Sequence, residues 1–267
     1  MRVCVLAGSG QLPLDVIKKL AQDKIFTSVI VLETQGKIED YKDQKDVVLL
    51  KFGQIGKALE LFKKHKITHL VFAGGVKRPS LTSIIPDFEG VKLLAEILKN
   101  KFLGDDNLLK TVLKYFEDKG LKIISPSEIV NLNSKSLGSL TELSPNSDAL
   151  KDIDVGCAAF RVLGKLDIGQ SILVSEGRII SVEGAEGTDE MIKRSKNYVT
   201  SKSILLKFSK TNQDLRVDAP TIGLDTIKTT KANNISGIVI NKNVIILSKN
   251  ETIELANKLG IYIYVTK

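Results

Sequence analysis

The chain has 267 residues, of which 43% are hydrophobic and 26% are charged. These proportions exclude wholesale disorder, and the length suits two domains of ordinary size or a single large one. The net charge is +8, and each half carries +4 when the chain is divided at residue 150. Such evenly spread charge favours an anionic ligand or membrane surface over nucleic acid, although solubility alone also explains it.

The first half alternates short β-branched segments with amphipathic segments. It predicts strands at residues 3–7, 28–32, 47–50, 69–73 and 121–124, and helices at 14–22, 54–66, 90–101 and 107–119. A strand followed by a helix, repeated along a chain, implies right-handed crossovers and a mostly parallel sheet. We therefore predict a doubly wound, Rossmann-like α/β domain over residues 1–130.

A polar segment then divides the chain. Residues 131–147 are rich in Asn, Ser, Gly and Pro, which predicts an interdomain linker or a mobile loop. Residues 148–267 predict a second, smaller α/β domain that begins with a helix capped by Asp148. Its strands are predicted at 171–175, 179–183, 204–208, 237–240, 244–247 and 261–265, and its helices at 148–163, 226–233 and 252–259. The Glu176-Gly177 pair between the first two strands is typical of a hairpin turn.

Two glycine-containing turns follow predicted core strands of the first domain. They comprise Gly8, Ser9, Gly10 and Gln11 after the first strand, and Gly74, Gly75, Val76 and Lys77 after the fourth. Small residues at the carboxyl ends of parallel strands let backbone N–H groups approach an anion, and Lys77 and Arg78 add cations that suit a phosphate or diphosphate. Pro13 replaces the third glycine of the dinucleotide fingerprint, which disfavours a nicotinamide site. Ordinary tight turns explain the same residues without a ligand.

The second domain contains a dense acidic cluster and an isolated strand lysine. The cluster comprises Glu183, Glu186, Asp189 and Glu190, and it is compatible with a hard-cation site. Helix capping by Thr188 or Asp189 is the alternative explanation. Lys207 lies near the end of an apolar strand, where a buried stem allows the ammonium group to reach a cleft.

A later segment of the second domain alternates charged and apolar residues. In an extended backbone, Asp214, Arg216 and Asp218 share one face. Two carboxylates beside an arginine can hold Mg²⁺, position a water molecule and neutralise phosphate charge. A structural ladder of ion pairs explains the same pattern. The next helix is expected to begin at Thr221 or Asp225.

Targeting signals are not evident in the sequence. No apolar run approaches the roughly 18 residues that a membrane span needs, and the N-terminal apolar stretch is too short for a signal peptide. We therefore expect a soluble, cytoplasmic protein.

The motifs, in this order, resemble a known family. In the first domain they are Ala-Gly-Ser-Gly-Gln-Leu-Pro at 7–13, Ala-Gly-Gly-Val-Lys-Arg-Pro at 73–79 and Gly-Asp-Asp at 104–106. In the second domain they are the segments 166–170, 186–189 and 213–223. This ordered set resembles the two-domain family of UDP-2,3-diacylglucosamine pyrophosphatases of lipid A biosynthesis, over nearly the whole chain.

The resemblance implies an enzyme that hydrolyses the diphosphate of UDP-2,3-diacylglucosamine with the assistance of Mg²⁺, at a site between two domains. The products would be UMP and 2,3-diacylglucosamine 1-phosphate. The implied partner is a UDP-linked diacylated glucosamine lipid, and nucleic acid is not expected. Peripheral contact with the inner membrane and a homodimer are both compatible with this function.

On this interpretation, Asp214 or Asp218 is a metal ligand or a water-orienting base, and Arg216 and Lys207 stabilise charge on the phosphoryl oxygens. Asp189 or Glu186 would assist. The expected substrate-binding residues are Gly8, Ser9, Gly10, Gln11, Gly74, Gly75, Val76, Lys77, Glu186, Gly187, Thr188, Gln213 and Thr221. Two alternatives stay open: another nucleotide-sugar enzyme, either an oxidoreductase or a transferase, and a non-catalytic nucleotide-binding regulator.

Overall fold

The structure divides the chain into two compact units. The computed structural model describes residues 1–77, 79–80, 84–99, 105–130, 136–166, 168–210, 213–217 and 219–267, with backbone alone for 105–107. The units are Met1–Asn131 and Leu132–Lys267. Each is an α/β structure, which confirms the predicted fold class. Within the described ranges, no helix combines the length and the apolar character that crossing a membrane requires.

The first unit contains a parallel sheet. Its strands are β1 (Arg2–Ala7), β2 (Phe26–Leu32), β3 (Val47–Leu50), β4 (His69–Ala73) and β5 (Lys122–Ile123). Its helices are α1 (Leu12–Gln22), α2 (Ile55–Lys64), α3 (Phe88–Lys99), α4 (Asp105–Asp118) and α5 (Pro126–Ile129). The strands pair in parallel in the order β3-β2-β1-β4-β5, and α1 contacts α5 while α3 contacts both α2 and α4. This is the predicted doubly wound arrangement.

Helices on both faces explain why the strands of this sheet read as continuous apolar runs. Val3, Cys4 and Val5 are all completely buried in β1, although consecutive side chains point to opposite faces. In the helical layer, the carboxylate of Asp87 accepts hydrogen bonds from the backbone N–H groups of Gly56 at 2.7 Å and Gly90 at 2.8 Å. One side chain therefore caps the N-terminal turns of both α2 and α3.

The direction of winding reverses between β1 and β4. The chain passes from β1 to β2 on one side of β1, and it later crosses from β3 to β4 on the other side. In open α/β sheets, ligands bind at the carboxyl ends of the strands where this reversal occurs. The two predicted glycine turns follow these two strands, so the fold brings them to that position.

The second unit contains a mixed sheet. Its strands are β6 (Gly138–Ser139), β7 (Ser171–Ser175), β8 (Arg178–Val182), β9 (Ile204–Lys207), β10 (Thr221–Ile222), β11 (Gly237–Asn241), β12 (Ile245–Ile246) and β13 (Tyr262–Thr266). Its helices are α6 (Ser147–Leu163), α7 (Thr188–Arg194), α8 (Leu224–Ala232) and α9 (Lys249–Leu259). The order is β6-β13-β11-β9-β7-β8, in which β9, β11 and β13 are mutually parallel, and β10 pairs separately with β12.

Helix α6 covers one face of this sheet closely. A Cβ atom on Gly156 would lie 2.3 Å from a methyl group of Leu206, so glycine permits the close approach of helix and strand. The buried carboxylate of Asp152 accepts hydrogen bonds from the N–H groups of Glu176 at 2.9 Å and Gly177 at 2.6 Å. These two residues form the turn between β7 and β8, which confirms the predicted hairpin.

Three predicted helix starts are wrong. Asn146, rather than Asp148, caps α6 by accepting a hydrogen bond from the N–H of Ala149. Helix α7 begins after Gly187, whose positive φ of +86° favours glycine. Helix α8 begins after Gly223, where a Cβ atom would lie 3.3 Å from the Cβ of Leu247. Thr221 lies in β10, and Asp225 lies inside the first turn of α8.

The predicted linker, 131–147, contains some regular structure. Residues 131–135 lie outside the described residues, whereas β6 pairs antiparallel with β13. The segment therefore supplies an edge strand to the second unit.

Candidate functional site

The two glycine turns of the first unit are hydrogen-bonded to each other. The N–H of Ser9 donates to the carbonyl of Gly75 at 2.9 Å, and the N–H of Gly75 donates back to the carbonyl of Ser9 at 2.9 Å. A Cβ atom on Gly8 would lie 2.4 Å from the carbonyl oxygen of Gly75. Gly74 has a φ of +91°, and its Cβ would lie 2.4 Å from the carbonyl oxygen of Ser9. Glycine is thus required for this contact between the two backbones.

This contact determines which N–H groups remain for an anion. Those of Ser9 and Gly75 are used by the bridge, and that of Gly8 donates to Ala73. For the N–H groups of Gly10 and Gln11, the described part of the chain provides no acceptor. Both precede α1, which is 11 residues long and directs its positive dipole end toward them.

The other predicted residues of this unit are distributed around the bridge. Val76 and Lys77 are exposed beyond Gly75, and the backbone N–H of Lys77 donates to Gln35 Oε1 at 2.7 Å. The side chain of Gln11 donates to Asp15 Oδ1 on its own helix at 3.0 Å. Arg78 lies outside the described residues. Gln35 is a neighbour that sequence reasoning missed, because it follows β2 rather than a glycine turn.

The second unit gathers several polar side chains at the carboxyl end of β9. Lys207 Nζ donates a hydrogen bond to Thr188 Oγ1 at 2.8 Å. The same oxygen lies 3.1 Å from Glu183 Oε2 and 3.0 Å from Ser171 Oγ. Ser171 is the partner of Lys207 in the β7–β9 pairing, so the sheet register places the two residues side by side. We call these four residues the lysine cluster.

The electrostatics of the lysine cluster centre on the ammonium group. Burial lowers the pKa of Lys207 below its ordinary value, and the carboxylates of Glu183 and Asp189 oppose that shift. Asp189 itself is exposed on α7. The two carboxylates thus favour the charged form of a lysine whose burial disfavours it.

The acidic cluster predicted as a cation site is dispersed in the structure. Glu186 pairs with Arg194 at 2.7 Å, and Glu190 pairs with Lys193 at 2.7 Å. Glu183 belongs to the lysine cluster. Hydrogen bonds from backbone N–H groups, and then from Arg194, also lower the pKa of Glu186. In the ranges that the structure describes, no three His, Cys, Asp or Glu side chains come together to hold a metal ion.

The segment that contains Asp214 and Arg216 is not extended, so the predicted shared face is wrong. Residues 215–217 form a turn, which the N–H of Val217 closes by donating to the carbonyl of Asp214 at 3.1 Å. The carboxylate of Asp214 accepts from the backbone N–H of Arg216 at 3.1 Å and from its guanidinium at 2.7 Å and 2.9 Å. An aspartate that bonds the backbone two residues later favours a turn over a strand.

The remaining predicted residues of this unit have varied positions. Gln213 is buried, and its side chain accepts from the N–H of Lys210 at 3.1 Å. Gly187 has a φ of +86° and caps α7, while Thr221 pairs with Ile245 in the β10–β12 ladder. Asp218 lies outside the described residues. Among the residues with described positions, Lys207 forms no hydrogen bond or ion pair with Asp214 or Arg216.

Amide side chains that the sequence did not single out anchor the loop after β9. Ser209 Oγ accepts hydrogen bonds from Asn241 Nδ2 and Asn243 Nδ2, each at 3.0 Å. Phe208 N–H donates to the carbonyl of Gln170 at 2.9 Å. Polar residues at the ends of β9 and β11 could have indicated this network, since parallel strands end at the same edge of a sheet.

Comparisons with known proteins match both units. The family model for the LpxI N-terminal domain matches residues 2–132, and that for the LpxI C-terminal domain matches residues 136–264. A similar protein from Caulobacter vibrioides, UDP-2,3-diacylglucosamine pyrophosphatase LpxI, is 31% identical over 269 aligned residues. The alignment covers 97% of this chain and 95% of that protein. Both domains are therefore present in the expected order over the whole alignment, and the chain belongs to the LpxI family.

Proposed function

We propose that this chain hydrolyses the diphosphate of UDP-2,3-diacylglucosamine, and that it releases UMP and 2,3-diacylglucosamine 1-phosphate in lipid A biosynthesis. The observation that carries this proposal is the match to the Caulobacter vibrioides enzyme over 97% of the chain. A match of that extent includes the glycine turns of the first unit and the lysine cluster of the second. Both features supply groups that suit a diphosphate ligand.

The first unit would bind one anionic part of the substrate. We assign this role to the N–H groups of Gly10 and Gln11, which lie at the positive end of α1 next to the point where the sheet reverses its winding. The exposed Lys77 would add a cation beside them. Groups from both units would then act on the same nucleotide-sugar lipid.

The second unit would neutralise the charge that develops during hydrolysis. Breaking a phosphoanhydride bond places negative charge on the leaving phosphoryl oxygens, and fixed cations stabilise that charge. We assign this role to the ammonium of Lys207 and the guanidinium of Arg216. The carboxylate of Asp214 accepts three side-chain hydrogen bonds from the guanidinium and one from the backbone N–H of Arg216, so the cation is already oriented.

The hydrogen bonds between Asp214 and Arg216 also indicate which carboxylate of this segment orients the attacking water. Both carboxylate oxygens of Asp214 accept hydrogen bonds from Arg216, which suits a residue that orients the guanidinium. We therefore assign the task of orienting the attacking water to Asp218, the second carboxylate of this segment. Asp189, which acts electrostatically on Lys207, would assist.

Magnesium assistance is part of the proposal, and the described residues do not form a site for it. Mg²⁺ requires several oxygen ligands, whereas Asp214 is neutralised by Arg216 and the described ranges bring together no three potential metal ligands. When bound, the ion would neutralise charge on the diphosphate. We expect turnover to require Mg²⁺, so that EDTA abolishes activity and added MgCl₂ restores it.

We also propose that the protein works in the cytoplasm and contacts the inner membrane peripherally, because its proposed substrate carries two acyl chains. Sedimentation with vesicles that contain anionic lipid would test this contact. The homodimer stays a prediction, and sedimentation velocity would test it.

The decisive experiment is incubation of the purified full chain with UDP-2,3-diacylglucosamine and MgCl₂, with ³¹P NMR of the products. We expect UMP and the diacylated sugar 1-phosphate to form without a nicotinamide cofactor. Turnover that required NAD(P), or transfer to an acceptor other than water, would instead indicate the oxidoreductase or transferase. Tight binding without turnover would indicate the regulator.

A set of carboxylate variants tests the assignment of residues. We expect Asp218→Asn to abolish turnover and to retain substrate binding, and Asp214→Asn to lower turnover by releasing Arg216. Asp148→Asn, at an exposed carboxylate on α6, is the matched control and should keep full activity. Wild-type turnover in both Asp214→Asn and Asp218→Asn would refute the assignment.

A further inference from the structure

The hydroxyl group of Thr188 has three neighbours, and their chemistry fixes every hydrogen bond around it. A hydroxyl offers one hydrogen and two acceptor lone pairs. Lys207 Nζ lies at 2.8 Å, Glu183 Oε2 at 3.1 Å and Ser171 Oγ at 3.0 Å. An ammonium group can only donate, and a carboxylate can only accept. Thr188 therefore accepts from Lys207 and donates to Glu183, and its second lone pair must accept from Ser171.

The same count of hydrogens fixes the role of Lys207. Its amine must donate to Thr188, because a Thr188 that donated to Lys207 would have no hydrogen left for Glu183. A neutral amine could also donate, but only the ammonium keeps two further N–H bonds and a positive charge for an anion. The N–H of Gln170 also lies 3.4 Å from Glu183 Oε2, and the N–H of Glu183 donates to the carbonyl of Ser171 at 2.9 Å. These backbone contacts hold Glu183 at the end of β8.

Burial and register make this arrangement rigid. Thr188 and Ser171 are buried, and Ser171 faces Lys207 across the β7–β9 ladder. One N–H of the ammonium group is used by Thr188, and Lys207 has no other hydrogen-bond acceptor among the residues that the structure describes. Two N–H bonds therefore remain for an anionic ligand, on a cation whose position is already fixed.

We propose that Glu183 and Thr188 are positioning residues that hold the Lys207 ammonium for the diphosphate of the substrate. This inference rests on the proposed function, and it gives Glu183, which the sequence analysis placed in a possible cation site, a positioning role instead. Neither residue needs to touch the reacting atoms. Thr188 orients the ammonium by a hydrogen bond, and Glu183 acts through Thr188 and through its charge.

The hydrogen bond to Thr188 is tested by two substitutions at one position. Thr188→Val removes the hydroxyl and keeps the shape of the side chain, and we expect it to lower kcat/KM by about 10- to 100-fold. Thr188→Ser keeps the hydroxyl, and we expect it to remain within about threefold of the wild type. Thermal unfolding of both variants identifies any loss of fold. A folded Thr188→Val enzyme with wild-type kcat/KM would overturn the role of Thr188.

The charge of Glu183 is tested by the titration of Lys207. The charged groups that act on this ammonium within the described ranges are Glu183 after β8 and Asp189 on α7, while its sheet neighbours Ser171 and Ile240 are uncharged. Removal of one carboxylate disfavours the ammonium, so Glu183→Gln should move the midpoint of Lys207 deprotonation to lower pH. The alkaline limb of the pH–rate profile should move in the same direction.

Trace acetylation with acetic anhydride across a pH series, read by peptide mass spectrometry, measures that midpoint without turnover. Glu190→Gln is the matched control, because Glu190 is exposed and pairs with Lys193. We expect Lys207 in the control to have the same deprotonation midpoint as in the wild type, and Lys207 in Glu183→Gln to have a midpoint at lower pH. Coincident curves for Glu183→Gln and the wild type would overturn the role of Glu183. Absence of turnover in the wild type would instead refute the proposed function, and the labelling result would still decide the inference.

Discussion

The hydrogen bonds from the β7–β8 turn to Asp152 lead to a sharp prediction about stability. Asp152 is only 4% exposed, and its carboxylate accepts from the N–H groups of Glu176 at 2.9 Å and Gly177 at 2.6 Å. A hydrogen bond to a charged group contributes about 1.5–3 kcal/mol. Asp152→Ala loses two of them, although it also removes the cost of burying a carboxylate. We therefore expect the free energy of unfolding of the second unit to fall by about 2–4 kcal/mol.

Urea unfolding measures this change, with Asp148→Ala as the control on the same helix. Asp148 is 76% exposed and forms an ion pair with Lys151, so its removal should cost less than about 0.5 kcal/mol. Hydrogen exchange of the Glu176 and Gly177 amides should also accelerate in Asp152→Ala. An equal urea midpoint for the two variants, with unchanged exchange at these amides, would refute the reasoning.

Two further predictions concern the first unit. Gly74 and Gly10 have φ values of +91° and +93°, but only at Gly74 would a Cβ meet backbone, 2.4 Å from Ser9 O. Gly74→Ala should therefore lower the free energy of unfolding by about 1–3 kcal/mol more than Gly10→Ala in urea titrations, and equal losses would contradict this packing argument. Burial would raise the pKa of Asp87, but hydrogen bonds from Gly56, Gly90 and Lys57 outweigh it and place the pKa below the ordinary 3.8. A carboxyl group whose pKa is lower in the folded protein than in the unfolded chain stabilises the folded state at any pH above the unfolded pKa. Asp87→Asn should therefore have a lower free energy of unfolding than the wild type at pH 7, and the two values should converge as the pH falls below 3.8. A difference in the free energy of unfolding that persists at pH 2 would contradict this argument.

Local patterns in the sequence were sufficient for most of the secondary structure. The apolar spacing of α1, with Val16, Ile17 and Leu20 buried, depends on contacts within a few turns of one helix. The Glu176-Gly177 turn depends on two residues with positive φ, at 51° and 76°. Strand–helix alternation then restricted the first unit to a parallel, doubly wound sheet.

The same reasoning failed where two local preferences compete. Alternating charges around Arg216 fit an extended strand, but Asp214 can also bond the backbone two residues later and form a turn. Contacts with the rest of the fold decide between these two conformations, so the alternation of charges alone could not predict which one forms. The four residues of the lysine cluster lie in separate segments of the sequence, so no single motif indicated that they meet, and Glu183 was interpreted as part of a cation site.

The sequence by itself therefore determined the class of fold, the family and the residue types available to bind a diphosphate. Tertiary structure decided which of these groups are already used. Ser9 and Gly75 bond each other although they are far apart along the chain, and Thr188, at the start of α7, joins Lys207 of β9 to Glu183 after β8. A hydrogen bond satisfied inside the fold is not available to a ligand, and long-range strand register, rather than local spacing, decides where such bonds form.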